Sequence, residues 1–327
     1  MGQRYLLVNA DKQERHGAVD GHMHEFIFGG LEPVAKLLTI PVQRQSMPES
    51  CLSHEGTQRS SLGSLCLPTE LLDLIFARLD IMDAFCLAVA NSLLCEISWR
   101  HVCRKRDALV SSWADDRIVC LSDYADSVPP PLSTPNLATP NSTSQPTQTE
   151  LNYTSASRFT SVGTVRKIGI PSIALCDIVL ERMMNVRDIK RCGMLLGATE
   201  PWYPADRAWA LANISRRQYI LAQDVGMLTD HVVEGPFVQS DWNLGNVVVA
   251  LTAWSGSGKG SGKGAVGCRR VEGMWAGERV RICTVESLVG DWEDVSSEVV
   301  PLVGRFLEGM YAGDVMEDYA DYYGPSI

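Results

Sequence analysis

Residues 67–102 are the segment that most constrains how this chain can fold. Six apolar residues recur there at helical spacing and make one broad stripe: Leu67, Leu71, Leu72, Ile75, Phe76 and Leu79. Pro68 suits a first helical turn, and Asp80 and Asp83 can each cap a second helix. A third helix is expected through Leu93 and Trp99. So short a unit lies below the roughly 40 residues at which isolated cores become stable, so its apolar surface needs the rest of the chain or another protein.

Three runs within this segment follow one another in an informative order. The runs LPTELLDLIFARL, DAFCLAV and SWRHV follow one another in the sequence and resemble the F-box. F-box proteins are substrate receptors of Skp–cullin–F-box ubiquitin ligases, and the box docks on the Skp-type adaptor. The resemblance places the closing Trp-Arg pair on Trp99 and Arg100. It implies an adaptor-binding set of ten residues: Leu67, Pro68, Leu71, Leu72, Ile75, Phe76, Leu79, Leu87, Val89 and Trp99.

An internal repeat surrounds this segment. YLLVNADKQE at 5–14 matches WALANISRRQ at 209–218, and WADDRIVCLSDY at 113–124 matches WAGERVRICTVE at 275–286. These pieces alternate as strands do. Asn9 and Trp113 are 104 positions apart, Asn213 and Trp275 only 62, and the excess of 42 is close to the length of the box. We therefore predict a duplicated β-rich module with the box inserted into its first copy, chance similarity being the alternative.

Trp113 and Trp275 are expected to be equivalent core or rim anchors of the two copies. The acid-arginine pairs Asp116-Arg117 and Glu278-Arg279 are expected to act as turn clasps rather than as catalytic groups. The layout with a Trp-Ala-x-acid-Arg element after the box also resembles a group of fungal F-box proteins.

The predicted fold class is α+β: a three-helix F-box inserted in a duplicated β-rich module, with flanking helices. Helices are expected at 171–185 and 294–311. The predicted boundaries are the first part of copy 1 at 1–61, the box at 62–104, the remainder of copy 1 at 105–126, a Pro/Ser/Thr-rich linker at 127–161, the second copy with helices at 162–312 and an acidic tail at 313–327.

Charge and composition narrow the classes of function. The net charge is −10, and nine acidic residues stand against one basic residue between Asp291 and Ile327, which argues against nucleic-acid partners. No apolar run reaches the length of a membrane span, and the first residues do not read as an export signal. The ten cysteines contain no C-x-x-C pair. We expect reduced thiols and a cytoplasmic or nuclear location.

Features that suggest enzymatic chemistry are weak. The Gly-Lys run at 253–264 follows a strand-like run at 246–251, but Ala253 and Ser257 stand where a phosphate-binding loop needs glycine. A flexible hairpin tip is the interpretation we favour. The three histidines at 16, 22 and 24 lie in one early loop without a four-ligand metal spacing. We expect no catalysis, no cofactor and no metal.

The sequence therefore predicts a non-catalytic substrate-receptor subunit of a Skp–cullin–F-box ubiquitin ligase. Its partners would be the Skp-type adaptor, a cullin reached through that adaptor, and a target protein that the sequence does not identify. One alternative is a box that acts outside ubiquitylation or is vestigial, since Ala90 and Leu93 stand where the family usually has cysteine and an aromatic residue. The other is a small-ligand-binding module, which only the Gly-Lys run supports.

Overall fold

The computed structural model describes residues 3–27, 31–44, 67–133, 151–162, 186–228, 233–238, 242–256 and 271–312. The fold is α+β, as predicted. Contacts divide the chain into a β-rich unit (Met1–Thr39, Trp113–Thr164 and Ala205–Ile327) and a helical unit (Ile40–Ser112 and Val165–Pro204). Among the described residues, none of the helices combines the length and the apolar character needed to cross a membrane.

The described strands lie in the β-rich unit and form three sheets. The six-stranded sheet has the order β10-β9-β3-β1-β2-β4, the four-stranded sheet has the order β11-β5-β6-β12, and β7 pairs with β8. Their bounds are β1 Arg4–Asn9, β2 Glu14–His22, β3 Ile118–Ser122, β4 Thr160–Val162, β5 Trp209–Asn213, β6 Gln218–Leu221, β7 Val233–Glu234, β8 Phe237–Val238, β9 Ala253–Ser255, β10 Val271–Glu272, β11 Val280–Thr284 and β12 Glu293–Asp294.

The helices are shared between the two units. The helical unit contains α3 Thr69–Arg78, α4 Ile81–Ala90, α5 Ser92–Val110 and α8 Val186–Ala198, and the β-rich unit contains α1 Met23–Ile27, α2 Glu32–Leu38, α6 Pro130–Ser133, α7 Tyr153–Ala156, α9 Ala222–Met227, α10 Leu244–Thr252, a 3₁₀ turn Val285–Ser287 and α11 Ser296–Ala312.

The boundaries differ from the predicted ones. Helix α5 continues to Val110 rather than ending near 104, and residues 165–204 group with the helical unit although 162–312 was predicted as the second copy. Helix α11 matches the expected helix at 294–311. The expected helix at 171–185, the linker residues 134–150 and the tail at 313–327 lie outside the described residues.

One secondary-structure prediction was wrong. Residues 246–251 were expected to be strand-like, but they belong to helix α10. Asn243 caps this helix by accepting from the Gly245 N–H at 2.8 Å, and the Asn246 side chain accepts from the Asn243 N–H at 2.8 Å. Because α10 is buried on every side, its sequence carries no amphipathic period, and a short apolar run does not distinguish helix from strand.

The two segments that resemble each other in sequence have similar strand pairings. β1 pairs antiparallel with β2 and β3, and β5 pairs antiparallel with β6 and β11. β4 adds parallel to β2, as β12 adds parallel to β6. The Trp113 N–H donates to the Leu37 carbonyl at 2.9 Å, and the Trp275 N–H donates to the Leu251 carbonyl at 2.9 Å. The two tryptophans are fully buried.

Unusual backbone conformations recur at matching places. Gln13 and Arg217, each just before the second strand of its hairpin, have φ of 53° and 56°. Asp115 and Gly277, each two residues after the repeated tryptophan, have φ of 71° and 76°. Left-handed φ is uncommon outside glycine, so its recurrence at equivalent positions reflects a shared backbone path.

A charged cluster joins the equivalent segments. Arg117 and Arg279 face each other in an antiparallel bridge. The Arg117 Nε donates to Asp11 Oδ1 at 2.7 Å, and the Arg279 Nη1 lies 3.3 Å from Asp11 Oδ2. The predicted clasps between sequence neighbours are therefore absent here. Instead Asp116 pairs with Lys12 and Glu278 pairs with Arg216, each acid with a cation of its own copy's hairpin.

His16 is a buried polar residue in β2, and the matching position in the similar segment is the buried Ile220. Its Nδ1 accepts from the Ala18 N–H at 3.3 Å, whereas its Nε2 has no hydrogen-bond partner among the described residues. Burial lowers the pKa of His16 to about 4. The imidazole is therefore neutral in the folded protein at pH 7.

The first prediction concerns Asp11. Asp11→Ala leaves the mostly buried Arg117 guanidinium without its carboxylate, which should cost about 2 kcal/mol of unfolding free energy. Urea unfolding followed by tryptophan fluorescence measures this. The matched control is Ser215→Ala at the equivalent position, where the Ser215 hydroxyl accepts from the Arg279 N–H at 3.1 Å. That variant loses one neutral hydrogen bond, about 1 kcal/mol or less. Equal losses would contradict the assigned role.

The second prediction concerns pH. Between the folded pKa of about 4 and the ordinary value of 6.5, the unfolded chain binds a proton at His16 that the folded chain does not. Stability should therefore fall as pH drops, by about 2 kcal/mol between pH 7 and pH 5 from this residue alone. His16→Ile should remove that part of the loss in urea titrations at the two pH values. An unchanged pH dependence in the variant would refute the assignment.

Candidate protein-binding site

Three consecutive helices make up the first part of the helical unit, and side chains cap the second and the third of them. Helix α3 starts after Pro68, and the Asp80 side chain caps α4 by accepting from the Asp83 N–H at 2.8 Å. The Asn91 side chain caps α5 by accepting from the Leu93 N–H at 2.8 Å. The sequence predicted the Asp80 cap, whereas the Asn91 cap was missed. These caps fix two sharp turns and bring α3 and α4 against α5.

The ten predicted adaptor-binding residues separate into two sets. Four are buried in the core of the unit: Leu72, Phe76, Val89 and Trp99. Three are half-buried and pack against that core: Leu67, Leu79 and Leu87. The remaining three, Pro68, Leu71 and Ile75, are exposed on or next to α3. The buried residues therefore hold the helices together, and the exposed ones are the residues that a partner can reach.

Helix α3 presents an exposed apolar strip, formed by Leu71, Leu74 and Ile75. These side chains are 45%, 61% and 38% exposed. Three neighbouring large apolar side chains on one helix face are an unusual feature, because single exposed apolar residues are normal but contiguous ones mark interaction surfaces. The set of residues that the F-box resemblance implied did not include Leu74. Its position three residues after Leu71 places it on the same helix face and could have indicated it.

The later segment of the chain covers another part of the core. Cys192, Leu195 and Leu196 of α8 pack into the same cluster as α4 and α5. The Arg106 Nη1 donates to the Leu196 carbonyl at 2.6 Å and to the Thr199 hydroxyl at 2.7 Å. The first of these contacts satisfies a carbonyl at the C-terminal end of α8, where a cation is favourable. The resemblance to the F-box did not indicate that residues after 185 complete this core.

A polar chain links α3 to α5 on the other flank. His101 Nε2 lies 2.9 Å from Asp73 Oδ1, and Arg104 Nη2 lies 2.9 Å from His101 Nδ1. The His101 ring also stacks on Phe76 with ring centroids 6.0 Å apart. With Nε2–H donating to Asp73, the imidazole Nδ1 accepts from Arg104.

The described residues give less support to the other candidate sites, the histidines and the Gly-Lys run. His22 and His24 stack with ring centroids 5.7 Å apart, but His16 and His22 lie on a strand and His24 on a helix rather than in one loop. No group of three or more histidine, cysteine, aspartate or glutamate residues could hold a metal ion within the described part of the chain. Of the Gly-Lys run, 257–264 lies outside the described residues.

Three comparisons with known proteins complete this description. Neither the protein-family models, nor the curated proteins, nor the solved structures gave a match to this chain. Any functional assignment therefore depends on the exposed strip of α3 and the helices that pack beneath it.

Proposed function

We propose that this chain is a non-catalytic substrate-receptor subunit of a Skp–cullin–F-box ubiquitin ligase. The observation that carries the proposal is the exposed strip Leu71, Leu74 and Ile75 on α3, within the segment that resembles the F-box. Docking on a Skp-type adaptor would remove this apolar surface from water. Burial of apolar surface is favourable by about 25 cal/mol per Å². The chain would contribute proximity between a target protein and the ubiquitin-loaded enzyme rather than chemistry.

We further infer that the β-rich unit is a duplicated module and that the helical segment is an insertion in its first copy. The matched strand pairings, the matched left-handed residues and the two tryptophan N–H bonds support this. In both copies the chain leaves the module after a helix, α2 in the first copy and α10 in the second. It returns to the module at the repeated tryptophan, Trp113 or Trp275. In the first copy it makes residues 40–112 of the helical unit, and in the second it makes β9, β10 and the residues between them.

The insertion gives the proposed receptor a clear division of roles. The helical segment would dock on the adaptor, and the β-rich unit, which has a buried cluster of its own, would remain as a second folded body. Insertion is tolerated where the two chain ends of the inserted part start and finish close together in the host. Thr39 and Trp113 meet this condition, because Leu37 and Trp113 are hydrogen-bonded.

The third prediction tests adaptor binding. Ile75→Lys should abolish co-purification of the full chain with a Skp-type adaptor, because it places an unpaired charge in a desolvated interface. The free chain should keep its stability within about 0.5 kcal/mol, since Ile75 is exposed. The control is Ala77→Lys, two residues on and about 160° around the same helix. The interface would be wrong if Ile75→Lys bound fully or if both variants lost binding equally.

The alternative is an adaptor-binding protein that acts outside ubiquitylation. The departures at Ala90 and Leu93 support it: Ala90 is exposed and Leu93 is half-buried at the start of α5, and neither is the cysteine or the aromatic residue that the family usually has there. Reconstitution with adaptor and cullin separates the two. Recovery of a complex that contains cullin supports the receptor proposal, and a stable chain–adaptor pair that excludes cullin supports the alternative.

A further inference from the structure

The helical unit contains a cleft lined by residues other than those of the exposed strip. Its volume is about 520 Å³, within the range of small-ligand and peptide pockets. The side chains around it come from the segment before α3 and from α3 and α5: Gln43, Arg44, Asp73, Trp99, Arg100, His101, Cys103, Arg104 and Asp107. We call this the arginine cleft.

Three guanidinium groups line the arginine cleft, and two of them are held in place. Arg44 Nη1 donates to the Ala198 carbonyl at 3.2 Å, and its guanidinium lies 6.0 Å from the centre of the Trp202 ring. Arg104 donates to His101, which is in turn fixed by Asp73. Guanidinium groups that are already oriented lose less entropy when they bind an anion.

The charge around the arginine cleft is opposite in sign to the net charge of the whole chain. The whole sequence carries −10, whereas residues 100–107 contain four cations and one acid, not counting His101. Two of those cations serve the fold, because Lys105 donates to the Ala77 carbonyl and Arg106 holds the end of α8. The other two, Arg100 and Arg104, line the cleft. A local reversal of charge at a concave site indicates an anionic ligand.

The two carboxyl groups of the cleft limit what that anion can be. Asp73 and Asp107 stand against three arginines, which leaves one net positive charge if all five are ionised. Burial raises the pKa of the Asp107 carboxyl to about 6, although Arg106 and Arg44 lower it. A polyanion such as RNA would meet these carboxylates as well as the arginines. A single planar anion with hydrogen-bond donors beside it suits the mixture, because the carboxylates accept from those donors.

We propose that the arginine cleft binds the free C-terminal carboxylate of a peptide chain. The carboxylate matches the guanidinium fork in shape and matches the cleft in charge, and the last peptide N–H groups are donors for Asp73 or Asp107. That the bound chain is the target of a ubiquitin ligase is a further step, which rests on the proposed function. The binding itself does not depend on the adaptor.

The geometry lets the strip and the cleft be used together. Asp73 is two positions from both Leu71 and Ile75, so it projects about 160° away from each around α3. A partner covering the strip therefore leaves this flank of the helix uncovered. Ile75→Lys should keep peptide binding, which distinguishes a failure of the cleft from a failure of the adaptor proposal.

The fourth prediction is tested by fluorescence anisotropy with the full chain alone. The probe is a fluorescein-labelled heptapeptide mixture, randomised at its last three positions and ending in a free carboxylate, and the matched probe ends in a carboxamide. The free carboxylate should bind about tenfold more tightly. Arg104→Gln and Arg100→Gln should each weaken binding about fivefold or more. Lys105→Gln, which removes a charge from the same helix outside the cleft, should change it less than about twofold.

Several results would overturn the proposal. Equal binding of the two probes would exclude the carboxylate, and an equal loss in Lys105→Gln and Arg104→Gln would indicate diffuse charge attraction. Tighter binding of an amidated phosphoserine peptide would assign the cleft to phosphate, and tighter binding of a single-stranded RNA heptamer would assign it to nucleic acid. Circular dichroism of each variant establishes that folding is intact, and the exposed Arg100 provides the variant least able to disturb it.

Discussion

The hydrogen bond from the Trp113 N–H to the Leu37 carbonyl is the interaction on which the organisation of this chain depends. It closes an excursion of more than seventy residues and returns the chain to the point where it left the β-rich unit. The equivalent bond between Trp275 and Leu251 closes a much shorter excursion in the same way. Loop-closure entropy grows only with the logarithm of loop length, so a fixed pair of ends can accommodate either.

Burial within the helical unit determines what a partner can contact. A strip of apolar residues at helical spacing carries two kinds of information at once, because some members form the core and others form the surface. Leu72 and Phe76 take the first role, and Leu71, Leu74 and Ile75 take the second. The same helix also carries Asp73, which organises His101 and Arg104 on its other flank. One helix of ten residues therefore contributes to a core, an apolar surface and a polar cleft.

Local patterns in the sequence predicted the elements better than the arrangement of the elements. Periodicity, caps and turn residues predicted the helices between 69 and 110, the helix near 296 and the strands of the two similar segments. Helix α10 was missed because full burial removes the amphipathic period. The role of Asp11 was missed because its partners lie more than a hundred positions away. The division of the ten site residues into buried and exposed sets depends on how α3, α4, α5 and α8 pack into one core, which no local pattern encodes.

The contribution of α8 has a consequence for how the chain is made. The core around Phe85 and Trp99 includes Leu195 and Leu196, about a hundred residues later in the sequence. The ribosome synthesises about 5–20 residues per second. Helices α3, α4 and α5 therefore exist for about 5–20 s before their packing partner α8 is synthesised. During that interval the nascent unit exposes apolar core surface in addition to the α3 strip. The order of translation therefore separates the formation of the helices from the completion of their core.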